Sequence, residues 1–166
     1  MALSIQDSKF NYLQVPPDTY FSDELTITVW IRIHSYGNRA RIIDFGNERD
    51  KDNLILSYSD DKFNTPYATI FNQDNKYQCY VTENFTKLPM NVWHHLSLSL
   101  SVSQQRGKLY INGQLMINRA YNCTISKGIR NSSLIGKSNW PIDNHTNADI
   151  DDLKIYNKVL TQQEIW

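Results

Sequence analysis

The chain carries no excess charge of either sign. Its 17 Lys and Arg residues balance 17 Asp and Glu residues over a length of 166, for a formal net charge of zero. Nucleic acids and anionic membrane surfaces are bound through basic patches. The nearest approach to one, Arg39, Arg41 and Arg49, has Asp44, Glu48 and Asp50 among it. A nucleic-acid partner is therefore not expected. Nor is direct membrane insertion, because no apolar run nears the ~18 residues that a spanning helix needs. Residues 1–4 lack the basic and apolar regions of a signal peptide. Helical periodicity is almost absent too, except for a capping box at Thr161-Gln162-Gln163-Glu164. The helix it starts reaches Trp166 after little more than a turn. Both ends read as cuts, so residues 1–166 are expected to be a single domain from a longer protein. An apolar fraction of 40% and an aromatic fraction of 12% are globular values that argue against disorder.

Strand patterns fill the space that helices leave. In residues 91–119, Leu96, Leu98 and Leu100 alternate with Ser97, Ser99 and Ser101, a period of two that gives a strand one buried and one wet face. A second strand, 108–111, is followed by Asn112-Gly113, a pair suited to a type I′ turn, and a third strand, 114–118. Residues 25–34 are long and β-rich, with Ile27, Val29, Ile31 and Ile33 on one side and Trp30 on the other. Further strands are expected at 2–6, 12–15, 41–45, 54–58, 67–72, 76–82, 134–137 and 149–156, punctuated by Asp, Asn, Gly and Pro. About a dozen short strands and one terminal helical turn define an all-β chain, an antiparallel sandwich or barrel.

The order of these pieces resembles the laminin G-like branch of the concanavalin A-like lectin/glucanase superfamily. The matching segments are LTITVWIRI, VWHHLSLSLS, GKLYINGQL, SSLIGKS and ADIDDLKIYNKVLTQQEI. Each alone is a generic strand signature, and the ordered set is what carries the resemblance. Ala148 departs from it, standing where the family usually has glycine. The resemblance implies a two-sheet antiparallel jelly-roll sandwich, usually non-catalytic, that binds glycans or proteins outside the cell.

Catalytic patterns are missing or incomplete. Hydrolases related by this resemblance carry a Glu-x-Asp-x-x-Glu or Glu-x-Asp-x-Glu strand, since a retaining mechanism needs two carboxyl groups about 5 Å apart. Glu48-Arg49-Asp50 begins that pattern, but Asp52 and Asn53 occupy the place of the second glutamate. Gly136-Lys137-Ser138 lacks the second glycine of a nucleophile elbow, and no P-loop or dinucleotide fingerprint is present. No catalytic residue is assigned, and the chain is read as not an enzyme.

Metal ligands are equally sparse. His94 and His95 are adjacent on a strand and point to opposite faces, so they cannot share an ion; His34 and His145 are isolated. Asp50-Lys51-Asp52 opens like a calcium-binding loop, but Ile55 replaces the required glycine. Asp151 shares strand parity with Leu153 and Ile155, which would turn its carboxylate toward the apolar side. The resemblance makes one structural calcium ion at Asp151 an expectation, with backbone hydrogen bonds or an arginine as alternatives.

Only two cysteines occur. Cys79 lies on the 76–82 strand and Cys123 on an expected strand after the hairpin. They read as one disulfide if the protein is extracellular, or as two buried thiols otherwise. Glycosylation sequons at Asn84, Asn122, Asn131 and Asn144 permit an extracellular location, although a chain rich in Asn, Ser and Thr produces several by chance.

Aromatic side chains are the candidate ligand-binding groups, because their faces stack on sugar rings and anchor protein partners. Trp140, in a loop beside Pro141, leads, with Tyr58, Tyr67, Tyr77 and Tyr80; Trp30 and Trp93 are expected within the sandwich. The expected function is a non-catalytic extracellular recognition module for a glycan or protein ligand. The alternative is an accessory domain without its own ligand, with a glycoside hydrolase-like enzyme more distant.

Overall fold

The structure, a computed structural model, describes residues 2–6, 11–71, 78–83 and 87–166. Twelve strands are formed: β1 (Leu3–Ile5), β2 (Leu13–Val15), β3 (Glu24–Ile33), β4 (Arg41–Gly46), β5 (Leu54–Ser57), β6 (Tyr67–Phe71), β7 (Gln78–Val81), β8 (Trp93–Ser101), β9 (Arg106–Ile111), β10 (Gln114–Ala120), β11 (Ser132–Ile135) and β12 (Ala148–Tyr156). A short helix, α1 (Gln162–Ile165), closes the chain, and its capping box forms as Thr161 and Glu164 exchange hydrogen bonds. Sheet A runs β1-β12-β3-β8-β9-β10 and sheet B runs β2-β11-β4-β5-β6-β7. All pairings are antiparallel, as the jelly-roll reading requires.

β3 and β8 are paired from Glu24↔Ser101 to Arg32↔Trp93 without a break. This register aligns Ile27, Val29 and Ile31 with Leu98, Leu96 and His94, and the apolar row is fully buried against Ile43, Phe45, Leu54, Leu56 and Ala68 of sheet B. Full burial of one such aliphatic side chain is worth about 1.5–3 kcal/mol. The Asn112-Gly113 turn has both residues at positive φ, 50° and 74°, as a type I′ hairpin demands.

The serine stripe of β8 is not a wet face. Ser97, Ser99 and Ser101 are buried, because the segment after β12 folds over the outside of sheet A. Thr26 Oγ1 donates to the Lys158 carbonyl at 2.9 Å, accepts from the Leu160 amide at 2.9 Å and lies 3.1 Å from Ser99 Oγ. Leu160 and Ile165 then pack on Tyr110 in a second, smaller core. Small hydroxyl side chains let a polypeptide lie flat on the sheet while satisfying its backbone groups.

Arg130, 1% exposed, sits 4.6 Å above the Phe21 ring. It donates to the carbonyls of Asp52, Gly128 and Ser126. Burial lowers its pKa to about 10, against the pull of nearby Asp52.

Cys79 and Cys123 form a disulfide with a Cα separation of 6.2 Å. Cys123 lies in irregular chain just past β10, not on a strand. Since β7 and β10 are edge strands of opposite sheets, the bond clasps the sandwich along one open side. With a sequence separation of 44 between the cysteines, chain-entropy reasoning assigns the closed loop about 4 kcal/mol. Reduction or the Cys79→Ala/Cys123→Ala pair is expected to lower the denaturation midpoint by an amount equivalent to that figure. Equal midpoints with and without reductant, in chemical denaturation, would show that the clasp contributes nothing.

Candidate functional site

The outer face of sheet B carries a cleft of about 260 Å³. Strand parity builds its floor: Ile55 of β5, Thr69 of β6 and Tyr80 of β7 are register partners in one row across the sheet. Tyr67 and Phe71 flank Thr69 at two-residue spacing and so point the same way. Asp60 and Asp61, from the loop between β5 and β6, and Trp140, from the loop between β11 and β12, complete the walls with Arg39 and Arg41.

Arg41 is the centre of this arrangement. Its Nη2 donates to Asp143 Oδ2 at 2.8 Å, its Nη1 donates to the Tyr67 hydroxyl, and its guanidinium carbon lies 5.6 Å from the Tyr67 ring and 5.7 Å from the Trp140 ring. Side chains of both ion-pair partners are almost wholly buried, at 5% and 2% exposure. Burial pushes the Tyr67 phenol above its ordinary pKa although Arg41 beside it pulls the other way. Trp140 packs on Phe71 with ring centroids 5.1 Å apart, so the tryptophan forms a wall of the cleft.

Asp44 anchors the same loop from the strand side. It accepts from the Asn139 amide at 2.8 Å and from Asn53 Nδ2 at 2.7 Å. Complete burial raises its pKa against those hydrogen bonds and against Arg41. Ser138 donates to Asp143 Oδ2 at 2.7 Å and accepts from the Trp140 amide at 3.0 Å. Both buried carboxylates thus hold the Trp140 loop in place. Toward the solvent side, Arg39 pairs with Asp61 at 2.8 Å, and Asp60 Oδ1 accepts the Phe63 amide at 2.7 Å. Within the cleft lining, Thr69 Oγ1 is buried with no hydrogen-bond partner among the described residues, as are eight buried side-chain atoms elsewhere, those of Ser97 and Ser133 among them.

Of the sequence-derived candidates, Trp140, Tyr67 and Tyr80 converge on this cleft. Tyr58 does not. It is fully buried in the core between the sheets, where its hydroxyl donates to the Ser35 carbonyl and accepts from the Asn147 amide. Its residue type resembled the others, but its chain position turned it inward. Tyr77 and Asn84 lie outside the described residues. Asn122, Asn131 and Asn144 are exposed. Glu48, Asp50 and Asp52 lie in the loop between β4 and β5 rather than on a strand.

Asp151 also differs from expectation. A bulge between Asp151 and Lys154, with Asp152 at φ 50°, breaks the parity that linked Asp151 to Leu153 and Ile155. Asp151 instead pairs with Trp30 and shares its outward face. The inward-carboxylate premise for structural calcium at Asp151 is therefore not met, while the family resemblance, its other ground, does not depend on the parity of Asp151. Among the described residues no three His, Cys, Asp or Glu side chains are grouped to hold a metal. Trp30 and Trp93 are likewise outward on sheet A and half-buried, not within the sandwich.

The sequence reading missed Arg41, Asp143, Thr69 and Phe71. Thr69 and Phe71 carried a usable signal, two-residue parity with Tyr67. Arg41 and Asp143 are separated by 102 residues, and nothing local announces their pairing.

Two packed six-stranded antiparallel sheets define a jelly-roll sandwich. The chain belongs to the concanavalin A-like lectin/glucanases superfamily, whose laminin G-like family profile matches residues 7–166. No curated protein sequence matches the chain significantly. Among solved structures, domain 4 of AbnA, a GH43 extracellular arabinanase from Geobacillus stearothermophilus in complex with arabinotriose, is similar. It has a TM-score of 0.73 and 16% identity over 99% of this chain and 85% of that one. The botulinum neurotoxin serotype G binding domain is similar too, with a TM-score of 0.70 and 16% identity over 98% of this chain and 40% of that one.

Because Arg41 and Asp143 are both buried, removing one partner leaves an uncompensated charge, a loss of about 3–5 kcal/mol. Arg41→Met is expected to destabilise by that amount in urea titration. Adding Asp143→Leu should recover part of the loss. A single variant within 1 kcal/mol of wild type would remove the pair from its central place.

Proposed function

We propose that this domain is a non-catalytic recognition module that takes a glycan in the cleft of sheet B. The observation that carries the reading is the buried, unpartnered Thr69 hydroxyl set between the aromatic side chains of Tyr67 and Phe71. An unpaired buried hydroxyl costs about 1–3 kcal/mol, and a ligand hydroxyl that displaces the side chains covering it would remove that penalty. Tyr80, about half exposed, offers an apolar face of the kind on which sugar rings stack, while Trp140, buried against Phe71 and Arg41, forms the wall beside it. With Arg39 closed on Asp61 and Arg41 on Asp143, the charges lining the cleft are largely matched, which suits an uncharged saccharide.

Likeness to an arabinotriose-bound domain supports a saccharide ligand, and likeness to a toxin binding domain leaves a protein ligand as the second reading. A non-catalytic role is supported by the buried carboxylates, Asp44 and Asp143, since each is committed to holding the Trp140 loop. An extracellular location is supported by the disulfide, which persists in oxidising compartments.

Titration calorimetry against a panel of neutral oligosaccharides tests the proposal. A hit is expected, weakened about tenfold by Tyr80→Ala through loss of one stacking face. Thr69→Val should weaken it about fivefold, the worth of one hydrogen bond, while leaving the melting temperature equal or higher because an orphaned hydroxyl is gone. Silence across the panel, or a hit that both variants leave intact, would reject the cleft as a glycan site.

A further inference from the structure

The opposite face of the sandwich carries a second aromatic groove, built from Trp30 of β3, Trp93 of β8, Asp151 of β12 and Asp152 in its bulge. It is separate from the sheet B cleft, because these strands belong to sheet A. Register fixes how the groups meet: Trp30 is the cross-strand partner of Asp151 on one side and of His95 on the other. The bulge at Asp151 and Asp152 is what turns two consecutive acidic residues toward the tryptophans rather than dividing them between the faces.

The same surface already holds one cation in this chemistry. Arg32 lies 5.2 Å from the Trp93 ring, and its Nε and Nη2 both donate to Asp149 Oδ2, at 2.8 and 2.6 Å. A guanidinium stacked on an indole and forked onto a carboxylate is the geometry in which arginine outperforms lysine. Next to it, the Trp30–Trp93 groove presents the same components, with His95 and Trp166 packed against Trp30, ring centroids 5.1 and 6.0 Å away, and Arg32 against Trp93. Asp149 is saturated by Arg32 and His34, and Asp152 is paired with Lys154 at 2.7 Å. Asp151 accepts only the Asp152 amide, at 2.9 Å, and has no cationic partner among the described residues. Burial keeps the neighbouring His95 imidazole below its ordinary pKa, so it supplies no positive charge near neutral pH.

From this charge complementarity we infer that the groove between Trp30 and Trp93 binds an arginine side chain of a partner protein, with the guanidinium stacked on indole and paired with Asp151. The site does not depend on the glycan reading of the cleft, and its ligand differs in charge and chemical class.

Indole N–H signals in two-dimensional NMR spectra of the intact domain test it directly, with a short arginine-containing peptide as probe. Saturable shifts are expected at Trp30 and Trp93, with Trp140 unmoved. The same peptide carrying citrulline, which keeps the shape and loses the charge, should not bind. Asp151→Asn, a partly exposed substitution that leaves the core untouched, should weaken binding about fivefold, the upper range for an exposed ion pair. Asp152→Asn should do less, since Lys154 already neutralises that carboxylate. Equal shifts with citrulline, or unchanged affinity in Asp151→Asn, would overturn the proposal. So would shifts of Trp30 and Trp93 by a neutral oligosaccharide or by tetramethylammonium alone in preference to the peptide.

Discussion

Everything else in the molecule depends on the unbroken pairing of β3 with β8. Strand side chains alternate with a period of two, so sliding one strand by a residue would move every apolar group of the row to the outside. With Leu25, Ile27 and Val29 facing Leu100, Leu98 and Leu96 across the pair, that slip would expose a whole core layer. The register is therefore enforced by burial on one face. It then dictates the other face, where Trp30, His95, Thr26 and Ser99 fall into place as a consequence. The docking of the C-terminal segment on Thr26 and the aromatic groove at Trp30 both inherit their geometry from this one constraint.

Sheet B obeys the same alternation but is finished differently. Its outer face is partly closed by a loop whose position is set by polar groups: Asp44 on the strand, Asp143 and Ser138 in the loop, and Arg41 between them. In a low-dielectric setting such a network is stable only when all its members are present. The Trp140 wall is consequently rigid, while Tyr80 on β7 is half exposed. A rigid aromatic wall facing an accessible one is a sound arrangement for receiving a flat ligand without ordering the whole site on binding.

The two outer faces thus use aromatic residues in contrasting electrostatic settings. On sheet B the ion pairs are closed, leaving a hydroxyl as the unsatisfied group. On sheet A the Asp151 carboxylate is left without a cation among the described residues. The disulfide joins β7, an edge strand of sheet B, to the chain just past β10, an edge strand of sheet A.

Much of this was legible in the sequence. Period-two alternation located β3 and β8, β-rich segments between turn residues located the other strands, and the Asn-Gly turn and capping box were read from their own residues, because all of these depend on residues close along the chain; the strand expected at Cys123 does not form. Tyr67 and Tyr80 reach the cleft by strand parity, whereas Trp140 reaches it through the loop that Asp44, Asp143 and Arg41 hold. Legibility ended where distant residues or a local irregularity decided the outcome. The bulge after Asp151 reversed a parity argument, since an extra residue in a strand is invisible to a pattern that assumes none. Whether Tyr58 faced in or out, and whether the β8 serines met water or the C-terminal segment, depended on what packed against them. Local alternation fixes the strands and their apolar faces because side-chain direction is a property of the backbone itself. The pairing of Arg41 with Asp143, the orphaned hydroxyl of Thr69 and the uncompensated charge of Asp151 were decided only by tertiary structure, because satisfaction of a polar group is a property of its neighbours in space.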